Sequence, residues 1–402
     1  MQPEREVIMV SVKYLRTHQV DESFDQVSQK FLSEVSKNLE QDLVIDQTTG
    51  FAPDQIKLFF IASGGTEELF VTDYGDIEGP VFLLTMERRN SLAAAMEILT
   101  WLQKKGITGQ ILHGTTEELA QQLNNMIQIQ TVKQRLKTFK LGVTEPSGWL
   151  IASQADRNLV KQKSGIEIVD LSMSELRAEI DKKTYPEDDW TRQLAAKSIA
   201  TTELEKALHI YGGVKRLADK YGLQGISIKC FDLLEPYQTS GCLALGLLNA
   251  AGYHAACEGD ELSLISMTVL AELTSQPIFM SNPARLDLSK REIVLAHCVL
   301  PLNMPTSYQL MTHYESGIGL AIAGELDHDR YTVFKMKDNF TDYIALEGQL
   351  VENLHEGDMC RTQIKLRLDE PLDYFLKRPI ANHHMVVRGE HKALIKAFFD
   401  TF

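Results

Sequence analysis

The first third of the chain alternates short apolar runs with longer amphipathic stretches. In the segment 22–39, the apolar residues Phe24, Val27, Phe31 and Val35 recur at helical spacing. Patterns of this kind predict strands at residues 7–14, 56–62, 81–85 and 107–112, and helices at residues 22–39, 91–104 and 117–138. Because strands that alternate with helices form largely parallel sheets covered by helices, we predict an N-terminal α/β domain over residues 1–140.

A second α/β segment follows. Short apolar runs occupy residues 141–143, 148–151 and 166–170. A long helix is predicted from about residue 191 to residue 221, then a strand at 225–229 and a helix at 242–250. The polar stretch 182–189 interrupts the alternation before that long helix. These elements predict a second α/β domain over residues 141–277.

After residue 278 the apolar runs become shorter, and Gly, Asp and Asn separate them. Strands are predicted at residues 308–314, 319–324, 331–336, 343–351, 362–368 and 384–387, followed by a helix at 392–399. Short strands at this spacing are typical of antiparallel sheets and barrels. The pattern therefore predicts an antiparallel sheet or barrel over residues 278–402.

Composition narrows the choice of partners. The chain has 402 residues, of which 44% are hydrophobic and 24% charged, so it can bury more than one core. A net charge of −14 argues against a nucleic-acid surface, because phosphate contacts need clustered Lys and Arg, and it favours a small-molecule partner. No apolar run reaches the ~18 residues of a membrane helix. The first residues also lack a secretory pattern, so we expect a cytoplasmic protein with no membrane partner.

The spacing of the cysteines does not indicate a metal-binding or redox motif. The 5 cysteines are widely spread and form no CxxC pair. Spacing of this kind indicates reduced, mostly buried thiols, and a zinc knuckle is not expected.

Candidate site residues lie in the second half of the chain. The run Ala255-Ala256-Cys257-Glu258-Gly259-Asp260 is predicted to close an apolar helical stretch, and Asn282 follows Glu258 by 24 residues. His383 and His384 lie near the C-terminus. A carboxylate, a second oxygen donor and an imidazole are the usual ligands of a divalent cation of the Mn, Mg or Zn type. Since successive strand residues point to opposite faces, only one of the two histidines is expected to be a ligand.

These motifs and their flanks resemble the L-fucose isomerase family and its arabinose isomerase relatives. The similarity covers most of residues 226–402. It rests on Ile228-Lys229-Cys230, Leu247-Leu248-Asn249, Gly252, Ala256-Cys257-Glu258-Gly259-Asp260, Phe279-Met280, Leu295-Ala296-His297-Cys298, His313-Tyr314-Glu315-Ser316-Gly317 and Asn382-His383. In the N-terminal third it extends only to the α/β character and the turn Gly64-Gly65-Thr66-Glu67.

The resemblance implies a fold and an activity. The fold would be two Rossmann-like α/β domains, at residues 1–140 and 141–277, followed by a C-terminal antiparallel β-barrel domain at 278–402. The chain would form a homotrimer or homohexamer. The activity would be a metal-dependent aldose–ketose isomerase that acts on a pentose or deoxyhexose through an enediol, with Mn²⁺ as the expected metal. The alternative is a diverged member that binds a sugar or related small molecule with little or no turnover.

The resemblance also assigns roles to residues. Glu258 corresponds to the family's first carboxylate, which serves as base and metal ligand. His383 or His384 corresponds to the metal histidine, and His297 to a further histidine of the arabinose branch. Without the flanking motifs, Glu258 would be interpreted as a solvated turn residue and His297 as a hydrogen-bonded core histidine.

The chain departs from the family pattern at Asn282, where the second carboxylate is expected. An amide oxygen can coordinate a cation, but it cannot accept a proton near neutral pH. Asp260 or Asp287 would have to replace the missing carboxylate. The predicted catalytic residues are therefore Glu258, Asp260 and Asn282, and the predicted metal ligands are Glu258, Asn282, His297, His383 and His384.

Two further segments are candidates for sugar contacts. Backbone N–H groups and side chains of Gly65, Thr66 and Glu67 could reach a sugar or phosphate, as glycine-rich strand ends do; the alternative is a tight turn alone. The GxGxxG spacing of dinucleotide sites is missing. His313 and Glu315 lie two apart on a predicted strand, so His313 either contacts substrate or forms a cross-strand pair.

Overall fold

The computed structural model describes residues 10–17, 22–39, 43–52, 55–196 and 201–402. The chain divides into two compact units. One comprises residues up to Gln134 together with Thr401, and the other comprises Arg135–Asp400 together with Phe402.

The first unit contains a five-stranded parallel sheet in the order β2-β1-β3-β4-β5. Its strands are β1 (Val10–Leu15), β2 (Leu43–Asp46), β3 (Lys57–Ile61), β4 (Val81–Thr85) and β5 (Gly109–Leu112). Its helices are α1 (Glu22–Ser36), α2 (Glu67–Tyr74), α3 (Ser91–Lys104) and α4 (Thr116–Leu136). The central strand β3 is apolar along most of its length because both of its faces are buried.

The sequence pattern did not predict β2 and α2. Strand β2 is only partly buried, so it shows no clear apolar alternation. Helix α2 is short and begins directly after the Gly64-Gly65 turn. The first three residues of the predicted strand 7–14 lie outside the described residues.

The second unit begins with a four-stranded parallel sheet in the order β7-β6-β8-β9. Its strands are β6 (Lys140–Val143), β7 (Glu167–Asp170), β8 (Gly225–Ile228) and β9 (His254–Cys257). Its helices are α5 (Arg157–Ser164), α6 (Met173–Ile180), α7 (Asp189–Ala195), α8 (Thr201–Tyr221), α9 (Leu234–Tyr237), α10 (Cys242–Ala250) and α11 (Glu261–Thr274). Between α7 and α8, where one long helix is predicted, residues 197–200 lie outside the described residues.

The motif at residues 255–260 forms the end of strand β9 and the turn after it, so the prediction that it closes a helix is wrong. Parallel pairing of β9 with β8 overrides the helical preference of Ala255 and Ala256. Asp260 instead caps the N-terminus of α11 by accepting a hydrogen bond from Ser263 N. Helix α11 is buried on nearly every side, which is the environment expected for a helix that is apolar all round.

The same unit ends in a closed six-stranded antiparallel barrel, as the sequence predicts for a sheet or barrel in this region. The barrel order is β10-β11-β16-β15-β14-β17, and β12 and β13 form a separate two-stranded sheet. The strands are β10 (Phe279–Asp287), β11 (Glu292–His297), β12 (Ser307–Met311), β13 (Ala321–Glu325), β14 (Arg330–Met336), β15 (Tyr343–Asn353), β16 (Thr362–Leu368) and β17 (His384–Arg388). The remaining helices are α12 (Asp373–Lys377) and α13 (Lys392–Phe399).

The mixed α/β class with two parallel sheets and a C-terminal antiparallel barrel is therefore confirmed. A Rossmann-like topology for the two sheets stays a prediction. None of the described helices is both long enough and apolar enough to cross a membrane.

Close packing of α10 supplies a first testable prediction. A Cβ added at Gly246 would lie 2.6 Å from Leu300 O and 2.4 Å from Ile322 Cδ1. Alanine normally stabilises a helix relative to glycine, but here the overpacking dominates. We expect Gly246→Ala to lower the free energy of unfolding by about 1–3 kcal/mol in a urea titration. Gly357→Ala, where no atom lies within 4 Å of the new Cβ, is the control and should change little. Equal stability of the two variants would contradict the packing argument.

Candidate active site

The carboxyl end of β9 turns sharply into α11 through two residues with left-handed backbone. Glu258 has φ +67° and Gly259 has φ +71°. A Cβ at position 259 would lie 2.6 Å from Glu145 O, so only glycine fits there. Ser147 N donates a hydrogen bond of 2.9 Å to Glu258 O, which ties the loop after β6 to this turn. The turn therefore lies at the carboxyl edge of the parallel sheet, where ligand sites of α/β folds commonly form.

The Glu258 carboxylate is held between an indole and an imidazole. Its Oε2 accepts a hydrogen bond of 2.6 Å from Trp149 Nε1, and its Oε1 lies 3.5 Å from His383 Nε2. Burial alone would raise the pKa of Glu258, but interaction with His383, helped by His297 and Trp149, lowers that pKa to about 2. The carboxylate is therefore ionised at neutral pH although only 7% of the residue is exposed.

Asp260 orients His383 from the opposite side of the imidazole. Its Oδ2 lies 2.8 Å from His383 Nδ1 and accepts a 2.7 Å hydrogen bond from Ser263 Oγ, while Oδ1 accepts from Ser263 N. With Nδ1–H bound to Asp260, the lone pair of neutral His383 is on Nε2, which faces Glu258. Both Asp260 oxygens therefore bind other groups of the protein, and Oδ2 contacts His383.

A fully buried lysine accompanies this carboxylate. Lys335 Nζ donates to Ser263 Oγ at 2.7 Å and lies 4.0 Å from Asp260 Oδ1. Burial would raise the pKa of Asp260, but the charge of Lys335 and bonding to His383 and Ser263 hold it well below its usual range. Burial lowers the pKa of Lys335. For His383, burial lowers the pKa, but Asp260 and Glu258 together raise it above its ordinary value.

His297 stacks on His383 and differs from it in tautomer. The two rings are 5.2 Å apart and nearly parallel, at 5°. Nδ1 of His297 accepts a hydrogen bond of 2.8 Å from Cys298 N, so the proton of the neutral ring is on Nε2. Ligand atoms of His297, Glu258 and Cys257 lie within 4.8 Å of one another. That spacing would suit a metal, but the tautomer makes His297 Nε2 a hydrogen-bond donor.

Two ring nitrogens at this site have no hydrogen-bond partner among the described residues. They are Nε2 of His297 and Nε2 of His383, and both are buried. Buried polar atoms without partners are rare in folded proteins and commonly mark a site for a ligand. Their position beside the Glu258 carboxylate makes this group the candidate site for a polar ligand.

Asn282 lies near this group without entering its hydrogen bonds. Its Oδ1 accepts a 3.3 Å hydrogen bond from Asn382 Nδ2, and it faces Ala296 across the β10–β11 pair. Asp287 is the other candidate for the missing carboxylate. It ends β10, and its Oδ1 accepts hydrogen bonds from Ser289 N and Lys290 N in the following turn.

His384 is buried, and both of its ring nitrogens have hydrogen-bond partners. Its Nδ1 lies 2.8 Å from Asn382 O, and its Nε2 lies 3.0 Å from the Tyr374 hydroxyl. Tyr374 OH accepts from Ile380 N, so its own proton is free for His384 Nε2. Both ring nitrogens are therefore used within the protein, and of the two neighbouring histidines it is His383 that faces Glu258.

The burial of His384 predicts an acid-dependent loss of stability. Burial first, then the charge of Lys335, lowers the pKa of His384 to about 3. In the unfolded chain this histidine takes up a proton near its ordinary pKa of about 6.5. Between these values the unfolded state binds more protons, so stability falls as the pH decreases, by up to about 1.4 kcal/mol per pH unit. We expect a shallower slope for His384→Asn in urea titrations between about pH 7 and pH 5. Equal slopes of stability against pH in the two proteins would contradict a lowered pKa of His384.

His313 borders the site through aromatic contacts. It lies in a turn after β12 and not on a strand, so the predicted cross-strand placement with Glu315 is wrong. Its ring packs edge-on against Phe231, which packs edge-on against Trp149. His313 Nδ1 is 2.9 Å from Ser316 Oγ. The turn forms through local hydrogen bonds, since Gly317 N donates to His313 O.

The turn Gly65-Thr66-Glu67 belongs to the first unit. Gly65 has φ +78°, and buried Thr66 donates its hydroxyl to Ser63 O at 3.0 Å. Ser63 Oγ accepts from Thr17 N, which joins the ends of β3 and β1. This is where ligands bind in sheets of the order 2-1-3-4-5. Sugar contact by this turn stays a prediction.

Two residues of this site, Trp149 and Lys335, were not predicted from the sequence. Trp149 is 55% exposed and lies in the loop after β6, so the rule that carboxyl ends of parallel strands meet at one edge could have identified it. Lys335 occupies an apolar strand, where an isolated lysine is unusual and indicates a buried partner.

No family model matches the chain, and comparison with known proteins finds a distant relative. The chain is 24% identical over 282 residues to sulfoquinovose isomerase of Clostridium sp. (strain MSTE9). The match includes 66% of this chain and 63% of that protein, so the chain spans less than two thirds of its relative's length.

Proposed function

We propose that the chain is an aldose–ketose isomerase that acts on a sugar bound against Glu258, His383 and His297. One observation carries the proposal: an ionised, buried carboxylate lies beside two buried imidazole nitrogens that lack partners. The distant similarity to a sugar isomerase supports the same activity. The runner-up is a sugar-binding protein without turnover, which Asn282 favours because it replaces a potential base.

Isomerisation through an enediol requires a base between two adjacent sugar carbons. In the proposed reaction, Glu258 removes the proton from C2 of the open aldose and returns it to C1, and the electron pair of the C2–H bond forms the C1–C2 double bond of the enediol. Nε2–H of His297 donates a proton to the carbonyl oxygen O1, and the ring recovers a proton from the C2 hydroxyl as the ketose forms. Proton transfers of this type are typically worth about 10² to 10⁴ in rate each.

A divalent cation fits the same residues. Glu258 would hold it through carboxylate oxygen and His383 through Nε2, with the amide oxygen of Asn282 as a further donor; we propose Mn²⁺. Such an ion supplies Lewis-acid stabilisation of negative charge on the sugar oxygens. Asp260 would fix the His383 ring, as carboxylates commonly do for metal-bound histidines. Trp149 would orient the second oxygen of Glu258 and cover the carboxylate on its solvent side.

The proposed substrate is a pentose or deoxyhexose. Sulfoquinovose belongs among the candidates because of the relative, and it is a deoxyhexose with a sulfonate group. We further propose that the active form is a homotrimer or homohexamer, in which residues such as Gly65, Thr66 and Glu67 help to select the sugar.

The test is an assay of purified protein for ketose formation. The protein is incubated with Mn²⁺ and a panel of pentoses, deoxyhexoses and sulfoquinovose, and the ketose is measured by chromatography, with metal-free protein in parallel. The proposal expects turnover of at least one sugar, and reduced turnover without metal. Binding of a sugar by calorimetry with no ketose from any of them would favour the binding protein.

A further inference from the structure

A second group of potential metal ligands lies within the same unit. Cys242, Cys298 and His313 are all buried, and one ligand atom of each lies within 4.8 Å of the others. They come from separate segments: Cys242 begins α10, Cys298 follows β11, and His313 lies in the turn after β12. Residues so distant in sequence share this space only because the sheet, the barrel and the β12–β13 sheet pack together.

A third thiol completes the group. Cys360, in the segment before β16, is partly buried. The neighbouring thiols of Cys242 and Cys360 lower the pKa of the Cys298 thiol. Two sulfur atoms and one imidazole are therefore mutually close, and the Cys360 thiol, which lies outside that set, would be the fourth ligand of a Cys₃His site.

This group shares no member with the group at the proposed sugar site. His297 belongs with Glu258 and Cys257, whereas the next residue, Cys298, belongs with Cys242 and His313. Strand β11 ends at His297, and Cys298 lies in the bend that follows it, so two adjacent residues belong to the two groups. The oxygen donors of the first group suit Mn²⁺ or Mg²⁺, and the thiolates of the second suit a softer ion.

We propose that Cys242, Cys298, Cys360 and His313 bind a Zn²⁺-type cation in a tetrahedral site. Ser316 Oγ lies 2.9 Å from His313 Nδ1 and Ser316 N donates to the same nitrogen at 3.4 Å, so Nε2 would give up its proton on binding the metal while Ser316 Oγ accepts a hydrogen bond from a protonated Nδ1. The thiols release their protons to solvent as the ion binds. The ion would join four segments beside Phe231 and Trp149 and so stabilise the aromatic side of the sugar site.

The test uses Co²⁺, whose spectrum reports thiolate ligands. Full-length protein is stripped of metal under reducing conditions and titrated with Co²⁺. We expect about one equivalent to produce ultraviolet thiolate-to-metal charge transfer and strong visible bands typical of tetrahedral sites. Zn²⁺ should then abolish these bands by replacing Co²⁺. Cys298→Ser and Cys360→Ser should lose or strongly weaken both features.

Cys230→Ser is the matched control. The Cys230 thiol lies 2.8 Å from that of Cys257, outside the proposed ligand set, so this variant should keep the full spectrum. Bands retained in both Cys298→Ser and Cys360→Ser, or lost only in Cys257→Ser, would overturn the proposal. A Cys242–Cys298 disulfide in the purified protein would overturn it as well. If Cys298→Ser fails to fold, the Co²⁺ spectrum of Cys360→Ser tests the proposal, because Cys360 is only partly buried. The isomerase assay has no part in this test, so the two proposals fail independently.

Discussion

Glu258→Gln is expected to lower kcat for ketose formation by about 10²- to 10⁴-fold, which is the usual contribution of one general base to the rate. Glutamine has the same shape and can still accept the hydrogen bond from Trp149, but it cannot take up the C2 proton. The measurement is steady-state kinetics with the best sugar of the panel. The change should fall mainly on kcat, because the loss concerns the transition state.

The control for this variant is Glu167→Gln, which removes a charge from an exposed position on β7. It should leave kcat and the spectrum of the folded protein unchanged. Activity of Glu258→Gln within a factor of about 2 of the parent protein would exclude Glu258 as the base, given the size of effect such groups have.

Asp260→Ala is expected to lower the free energy of unfolding by about 3–5 kcal/mol, because it leaves the ammonium group of Lys335 buried without a carboxylate. The variant also removes the N-cap of α11 and the partner of His383 Nδ1. The measurement is urea unfolding followed by circular dichroism near neutral pH.

A double variant separates these contributions. Lys335→Met added to Asp260→Ala removes the buried charge while keeping a long apolar side chain, so it should restore most of the lost stability. No recovery in the double variant would mean that Lys335 is uncharged in the folded protein and that the cap and His383 carry the effect. Activity should not return, because His383 still lacks the carboxylate that fixes its ring.

Local patterns predicted most elements, because each depends on neighbouring residues. The helices at 91–104 and 242–250 and the strands at 81–85 and 362–368 match the structure residue for residue. The Ala255–Cys257 run failed because its residues favour a helix locally, while pairing with β8 decides the outcome.

The sequence could not decide which of His383 and His384 faces the site. Alternation predicted that only one of them would face the site, but both are buried. Only their hydrogen bonds distinguish them. Both ring nitrogens of His384 are bonded, one to Asn382 O and one to the Tyr374 hydroxyl. Asp260 binds only Nδ1 of His383, so Nε2 faces Glu258.

By itself, the sequence determined the α/β class, the change to antiparallel strands after residue 278, and the residue types that carry chemistry. These follow from periodicity and from short motifs, which act over a few residues. The tertiary structure alone decided which of those residues meet. Contacts such as Trp149 with Glu258, or Cys242 with Cys298, join segments that are far apart along the chain. Their distances depend on strand register and on how the sheet packs against the barrel within this unit, and no local pattern encodes either.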